Sequence, residues 1–149
     1  MKCPLKFRRR SADLVGMFEW NPRYSVQIDS IDAQHQTLFG LAEELNTAMA
    51  AGQGKSVLSR ILNRLVQYTT VHFAHEERLM RLHDYPGFAA HKTQHEALAQ
   101  KVQQFQAEYN AGTTAMTVEL MIFLRDWLTG HIAGSDQKYA PLLKEKLVA

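Results

Sequence analysis

The 149-residue sequence lacks the features of several common protein classes. Its single cysteine, Cys3, excludes an intrachain disulfide and any metal or redox site built from a cysteine pair. No apolar run approaches the roughly 20 residues that a membrane-spanning helix needs. Lysine and arginine number 17 against 15 acidic residues, and a net charge of +2 is too small to indicate binding to nucleic acid or to an anionic membrane. The sequence therefore predicts no nucleic-acid partner and no membrane association.

The basic residues are concentrated in residues 1–16, which show no helical or strand periodicity. We expect this segment to be a disordered basic leader, with a docking tail for an acidic surface as the alternative, and residues 17–149 to form one domain. No secretory apolar segment follows the basic residues, which favours a cytoplasmic location.

Four segments place apolar residues at alternating spacings of three and four, the pattern of a helix with one buried face. They lie between residues 31 and 49, 58 and 80, 88 and 109, and 120 and 131, and glycine-containing turns separate them. Residues 18–26 read as an extended arm in which Pro22 opposes an early helix, and residues 137–147 as a short terminal helix. The sequence predicts an all-α, up-down-up-down antiparallel four-helix bundle with an N-terminal extended arm and a short C-terminal helix.

Polar residues occupy positions in this pattern where leucine or isoleucine would be expected. Burying an imidazole or carboxylate without a partner costs several kcal/mol, about 2–7 for a neutral polar group. Side chains of this kind that converge from facing helices form the metal sites of helical bundles. The candidates are His35, His72, Glu76, His91, His95 and His131.

The spacing of these residues supports a shared site. His72 and Glu76 are four residues apart, as are His91 and His95, so each pair lies on one helical face, rotated by only about 40°. Asp136 follows His131 by five residues, which on an unbroken α-helix would turn it about 140° away. We expect Gly134 and Ser135 to break the helix and return Asp136 to the core.

The donor set is five imidazoles and two carboxylates without a thiolate, which argues against a structural zinc site. Seven ligands are too many for one zinc or copper ion. They suit two ions of higher coordination number that share bridging carboxylates, and this mixture of donors favours iron.

The whole pattern resembles the single-domain bacteriohemerythrins of the hemerythrin family. Besides the seven ligands, the supporting motifs are Trp20 in the arm, the Ile-Asp-Ala-Gln sequence before His35, and Phe73, Glu77 and Met80 around the pair His72 and Glu76. Tyr85-Pro86, the Trp-Leu-Thr-Gly sequence before His131, and Ile132 after it complete the set. The resemblance extends over residues 17–146.

The resemblance implies a hemerythrin-like bundle that holds two iron ions (Fe2+/Fe3+) with a bridging oxo or hydroxo group. His91, His95 and His131 would bind one ion, His35 and His72 the other, and Glu76 and Asp136 would bridge them. The second ion would keep an open position for reversible O2 binding. The resemblance thus implies a monomeric, non-enzymatic oxygen carrier, storage or delivery protein that serves an O2-consuming or redox partner.

Apolar residues near the ligands are candidates for the wall of an O2 pocket, because they would restrict water and protons. The first is Leu128, one turn before His131, and its companions are Phe73, Trp127 and Ile132. Plain core packing is the alternative for all four. We expect Tyr139 to orient a ligand and Glu77 to be an exposed neighbour of the site.

Three other functions remain open. The same centre could sense O2 or redox state through a partner protein. It could act as a diiron oxidase, peroxidase or nitric-oxide-consuming enzyme, although no additional acid lies in the core pattern. Iron storage is the third, and the absence of a further carboxylate pathway opposes it.

Overall fold

The structure is a computed structural model that describes residues 16–148, so the predicted basic leader lies, apart from Gly16, outside the described residues. Within that range the regular structure is entirely helical, as predicted. None of these helices is both long enough and apolar enough to cross a membrane. The five α-helices are α1 (Asp29–Ala50), α2 (Lys55–Leu82), α3 (Phe88–Asn110), α4 (Val118–Gly130) and α5 (Gln137–Val148).

The arm before α1 is not extended throughout, which corrects the prediction. Pro22–Tyr24 forms one turn of 3-10 helix, and the Asn21 side chain accepts a hydrogen bond from the Arg23 backbone N–H. Proline is well tolerated at the first position of a helix, because its missing N–H would have no partner there. The turn buries Tyr24, whose ring stacks on Phe39 of α1 with centroids 5.3 Å apart.

The predicted break at Gly134 and Ser135 does not occur. A six-residue π-helical segment, His131–Asp136, joins α4 directly to α5. A π-helical turn closes with i→i+5 hydrogen bonds and so holds about one residue more than an α-helical turn. That additional residue lets side chains five apart share a face, and it returns Asp136 to the core without ending the helix.

The interior of the bundle consists of two apolar clusters with a polar layer between them. On α1, Ile31 belongs to one cluster and Leu38 to the other, while His35 lies between them along the helix. The same order occurs at the C-terminal end, where Ile132 and Tyr139 belong to different clusters and Asp136 lies between them. The helices thus bring polar side chains to one level of an otherwise apolar core.

Candidate metal centre

The structure brings all seven predicted ligands together in this polar layer. Each is buried, with exposures from 0% for Glu76 to 7% for His131. Their ligand atoms form two groups, and within each group the atoms lie within 4.8 Å of one another. One group has four members, which are His91, His95, His131 and Asp136, and the other has three, which are His35, His72 and Glu76.

Each group contains one carboxylate, and each carboxylate also reaches toward the other group. Asp136 Oδ2 is 3.1 Å from His35 Nε2, while its Oδ1 is 3.1 Å from His91 Nε2 and 3.1 Å from His131 Nε2. Glu76 Oε1 contacts His72 Nε2 and is 3.5 Å from His35 Nε2, and its Oε2 is 3.7 Å from His91 Nε2. Each carboxylate therefore directs one oxygen toward each group.

The outer ring nitrogens of three histidines contact side-chain oxygens. His72 Nδ1 lies 2.7 Å from Gln34 Oε1, and His131 Nδ1 lies 3.1 Å from Gln94 Oε1. His95 Nδ1 lies 3.5 Å from Glu77 Oε2. Since these oxygens accept hydrogen bonds, we infer that the proton of each neutral ring is on Nδ1 and that Nε2 carries a lone pair.

The inner atoms of the layer fit bound cations. His95 Nε2 and His131 Nε2 are 3.1 Å apart, and with both rings protonated on Nδ1, as inferred above, their lone pairs would face each other. His35 Nε2, His91 Nε2 and all four oxygens of Glu76 and Asp136 are buried without a hydrogen-bond partner among the described residues. Buried polar atoms are rarely left in this state unless an ion or water satisfies them. Imidazole and carboxylate donors together suit a non-haem iron site.

Comparison with known proteins identifies the family of this chain. The family model described as the hemerythrin HHE cation binding domain matches residues 26–143. The chain belongs to the hemerythrin family. That range contains every helix that supplies a predicted ligand and ends within α5.

Relatives within the hemerythrin family match over most of their length. The chain is 34% identical over 133 residues to a bacteriohemerythrin of Stenotrophomonas maltophilia, which covers 89% of this chain and 86% of the relative. It is 30% identical over 131 residues to a myohemerythrin of Riftia pachyptila, covering 87% and 96%. A crystal structure of wild-type hemerythrin superposes with a TM-score of 0.79 at 31% identity, covering 84% of this chain and 96% of that one. These matches confirm the predicted family and the hemerythrin fold.

The electrostatics of this hemerythrin-type layer depend on its two buried carboxylates, which require positive charge close to them. Burial opposes protonation of His35, but its contacts with Asp136 and Glu76 outweigh burial and raise the pKa of His35 to about 9. Burial and Asp136 act to raise the pKa of Glu76, yet the neighbouring His72 and His35 lower it to about 2. Burial lowers the pKa of His95 to about 3, which keeps this imidazole neutral and able to bind a metal.

The side chains that contact the outer nitrogens were not predicted as such from the sequence. Gln34 and Gln94 each precede a predicted ligand by one position, and Glu77 follows Glu76. Glu77 is not the exposed neighbour we predicted, because its side chain is only 15% exposed and contacts His95. One helical step turns a side chain by about 100°, toward the adjacent helix rather than the bundle axis. Polar residues next to ligands on a helix are the signal that could have indicated them.

Aromatic rings pack against the faces of the histidine rings. Phe73 stacks on His95 with centroids 3.8 Å apart, and Trp127 stacks on His131 at 4.4 Å. Tyr139 is fully buried with its ring 5.4 Å from that of His91. Leu128 and Ile132 are buried in the apolar cluster that includes Leu38. These contacts account for the packing of Phe73 and Trp127, while a role for the four residues in an O2 pocket stays a prediction.

Proposed function

We propose that the protein binds O2 reversibly at a non-haem diiron centre, as an oxygen carrier, storage or delivery protein rather than an enzyme. The observation that supports this most strongly is the pair of buried ligand groups with two carboxylates between them. Membership of the hemerythrin family makes iron the metal of choice. When bound, the iron pair would supply electrons and an open coordination position for O2.

We propose that His91, His95 and His131 hold one ion and that His35 and His72 hold the other. Glu76 and Asp136 would bridge the two, since each directs one oxygen toward each group. An oxo or hydroxo bridge would complete the centre. The group with only two imidazoles has fewer protein donors, which favours it as the place for O2.

The surroundings of the centre favour a carrier because they restrict water. The polar layer lies between two apolar clusters, and the apolar side chains of Phe73, Leu128 and Ile132 are buried nearby along the same helices. In a dry site, protons that would make oxidation irreversible reach the ligand slowly. We propose that Leu128, Phe73, Trp127 and Ile132 form this barrier.

Cycles of oxygenation test the proposal. The iron-loaded protein is reduced anaerobically, exposed to air and then returned to an oxygen-free atmosphere while its visible spectrum is recorded. A carrier develops a charge-transfer band in air and loses it on deoxygenation, over many cycles. Irreversible oxidation in one exposure, or continuous O2 consumption with a reductant, would contradict the carrier and favour a diiron oxidase.

Two further proposals concern the state of the protein in the cell. We propose that it acts as a monomer and in the cytoplasm, supplying O2 to an oxygen-consuming or redox partner. Light scattering of the iron-loaded protein tests the first, with a mass near 17 kDa expected. Fractionation of the native cells tests the second, and recovery of the protein in the membrane or periplasmic fraction would contradict it.

A further inference from the structure

The side chains that contact the outer ring nitrogens of the candidate ligands differ in charge. Gln34 and Gln94, which contact His72 and His131, are neutral amides. Glu77, which contacts His95, is the one acidic side chain that reaches an outer ring nitrogen within the described residues. The four-membered ligand group therefore has an additional carboxylate beside it that the three-membered group does not have.

The position of Glu77 strengthens its effect on His95. The Glu77 side chain is 15% exposed, so solvent screens its charge only partly. The His95 ring cannot easily turn away, because Phe73 stacks on it at an interplanar angle of 4°. The carboxylate is 3.5 Å from Nδ1, which is long for a hydrogen bond but close for an ion–dipole contact.

Negative charge at the outer nitrogen makes an imidazole a stronger donor to a metal at its inner nitrogen. This effect favours the more highly charged, oxidised metal ion. Removal of such outer partners typically lowers metal affinity about 10–100-fold. Glu76 and Glu77 are consecutive on α2, so the same turn of the helix supplies an inner ligand and an outer carboxylate.

We propose that Glu77 is a positioning residue that makes the ion held by His91, His95 and His131 the more tightly bound and the more easily oxidised of the two. This inference rests on the proposed diiron site. It assigns part of the difference between the two sites, beyond their different numbers of imidazoles, to a residue that would contact neither ion.

Isosteric substitutions separate charge from hydrogen bonding. Glu77→Gln keeps an acceptor near His95 Nδ1 and removes its charge, while Gln94→Glu adds a charge beside His131. Glu96→Gln is the matched control, since Glu96 neighbours His95 in sequence but its side chain is 62% exposed. Binding of Co2+, measured by competition with a chelator, reports metal affinity without any oxygen chemistry. Reductive titration of the iron-loaded protein reports the potential.

We expect Glu77→Gln to weaken the tighter Co2+ step about tenfold and to shift the reduction potential upward. Gln94→Glu should strengthen the tighter Co2+ step and lower the reduction potential, and Glu96→Gln should change neither quantity. If Glu77→Gln matches the wild-type chain while Glu77→Ala is impaired, the role of Glu77 is structural and the inference is wrong. An equal effect of Glu96→Gln would also overturn it. Failure of the wild-type chain to bind Co2+ would instead contradict the metal site itself.

Discussion

At the scale of single residues, Glu76 has an unusual position because its two oxygens face different ligand groups. A carboxylate placed in this way can hold two cations at once, and Asp136 is the one other described side chain that the structure places so. Its burial is complete, so any change there leaves the facing imidazoles without a partner.

Substitution of Glu76 tests this position directly. We expect Glu76→Gln to lower iron affinity at least tenfold, because the amide keeps the size of the side chain but loses its charge and one ligand oxygen. Iron content after gel filtration, measured by elemental analysis, gives the result, with Glu96→Gln as the control for loss of an exposed carboxylate. Two irons per chain in Glu76→Gln would contradict the assignment.

The raised pKa of His35 predicts how metal uptake depends on pH. In the metal-free chain this pKa is about 9, so His35 holds a proton at pH 7.5, whereas His95, with a pKa of about 3, does not. A metal ion must displace the His35 proton, so uptake should release about one proton more at pH 7.5 than at pH 10. Calorimetry in buffers of different ionisation enthalpy measures this number. Buffer-independent heats at pH 7.5 would contradict it.

At the scale of elements, the π-helical segment His131–Asp136 sets the orientation of everything after it. It lets His131 and Asp136 face the same layer, and it fixes the rotation of α5, which buries Tyr139 and Leu143. Removing one residue would restore an α-helix and turn α5 by about 100°.

Deletion of the exposed Ala133 should therefore destabilise the metal-free protein by about 3 kcal/mol or more, because Tyr139 and Leu143 turn out of their apolar cluster. Chemical denaturation followed by circular dichroism measures the free energy of unfolding. Deletion of Ala115, which lies exposed in the loop before α4, is the matched control and should be tolerated. Equal stabilities of the two deletion variants would show that the π-helical segment does not fix α5.

The elements also show which features the sequence could predict. The four bundle helices follow from apolar spacing, and six of the seven candidate ligands follow from polar residues that interrupt that spacing. The structure places Asp136 in the buried polar layer, as expected, but the predicted helix break was wrong because Gly134 permits several backbone conformations and the sequence does not show which one tertiary packing selects. The contacts made by Gln34, Gln94 and Glu77 were missed because their partners lie on other helices, and such contacts leave no periodic signal.

At the scale of the whole molecule, the polar layer separates two apolar clusters that must fold against each other. Without metal, buried lone pairs and carboxylates face one another across this layer and oppose its formation. Bound metal should therefore stabilise the whole bundle rather than the ligands alone.

Metal removal is expected to lower thermal stability by a measurable amount. At a free-metal concentration of 100 Kd, binding contributes about 2.7 kcal/mol, which corresponds to a rise in Tm of about 5–10 °C for a chain of this size. Calorimetric scans with and without Co2+ give the difference. For a tenfold loss of affinity in the Glu76→Gln variant, the contribution falls to about 1.4 kcal/mol and the rise in Tm to about half, and an identical rise in both proteins would place the stabilising metal elsewhere.

The chain contains two tryptophans, and each lies beside a different ligand group. The Trp20 ring is 6.5 Å from that of His35, while the Trp127 ring stacks on His131. All indole fluorescence of the protein therefore originates next to the centre, and a paramagnetic ion there should quench it without any added label. In Trp20→Phe, the remaining emission would come from Trp127 beside His131. In Trp127→Phe, it would come from Trp20 beside His35. Comparing the two quenching curves would reveal which ion enters first.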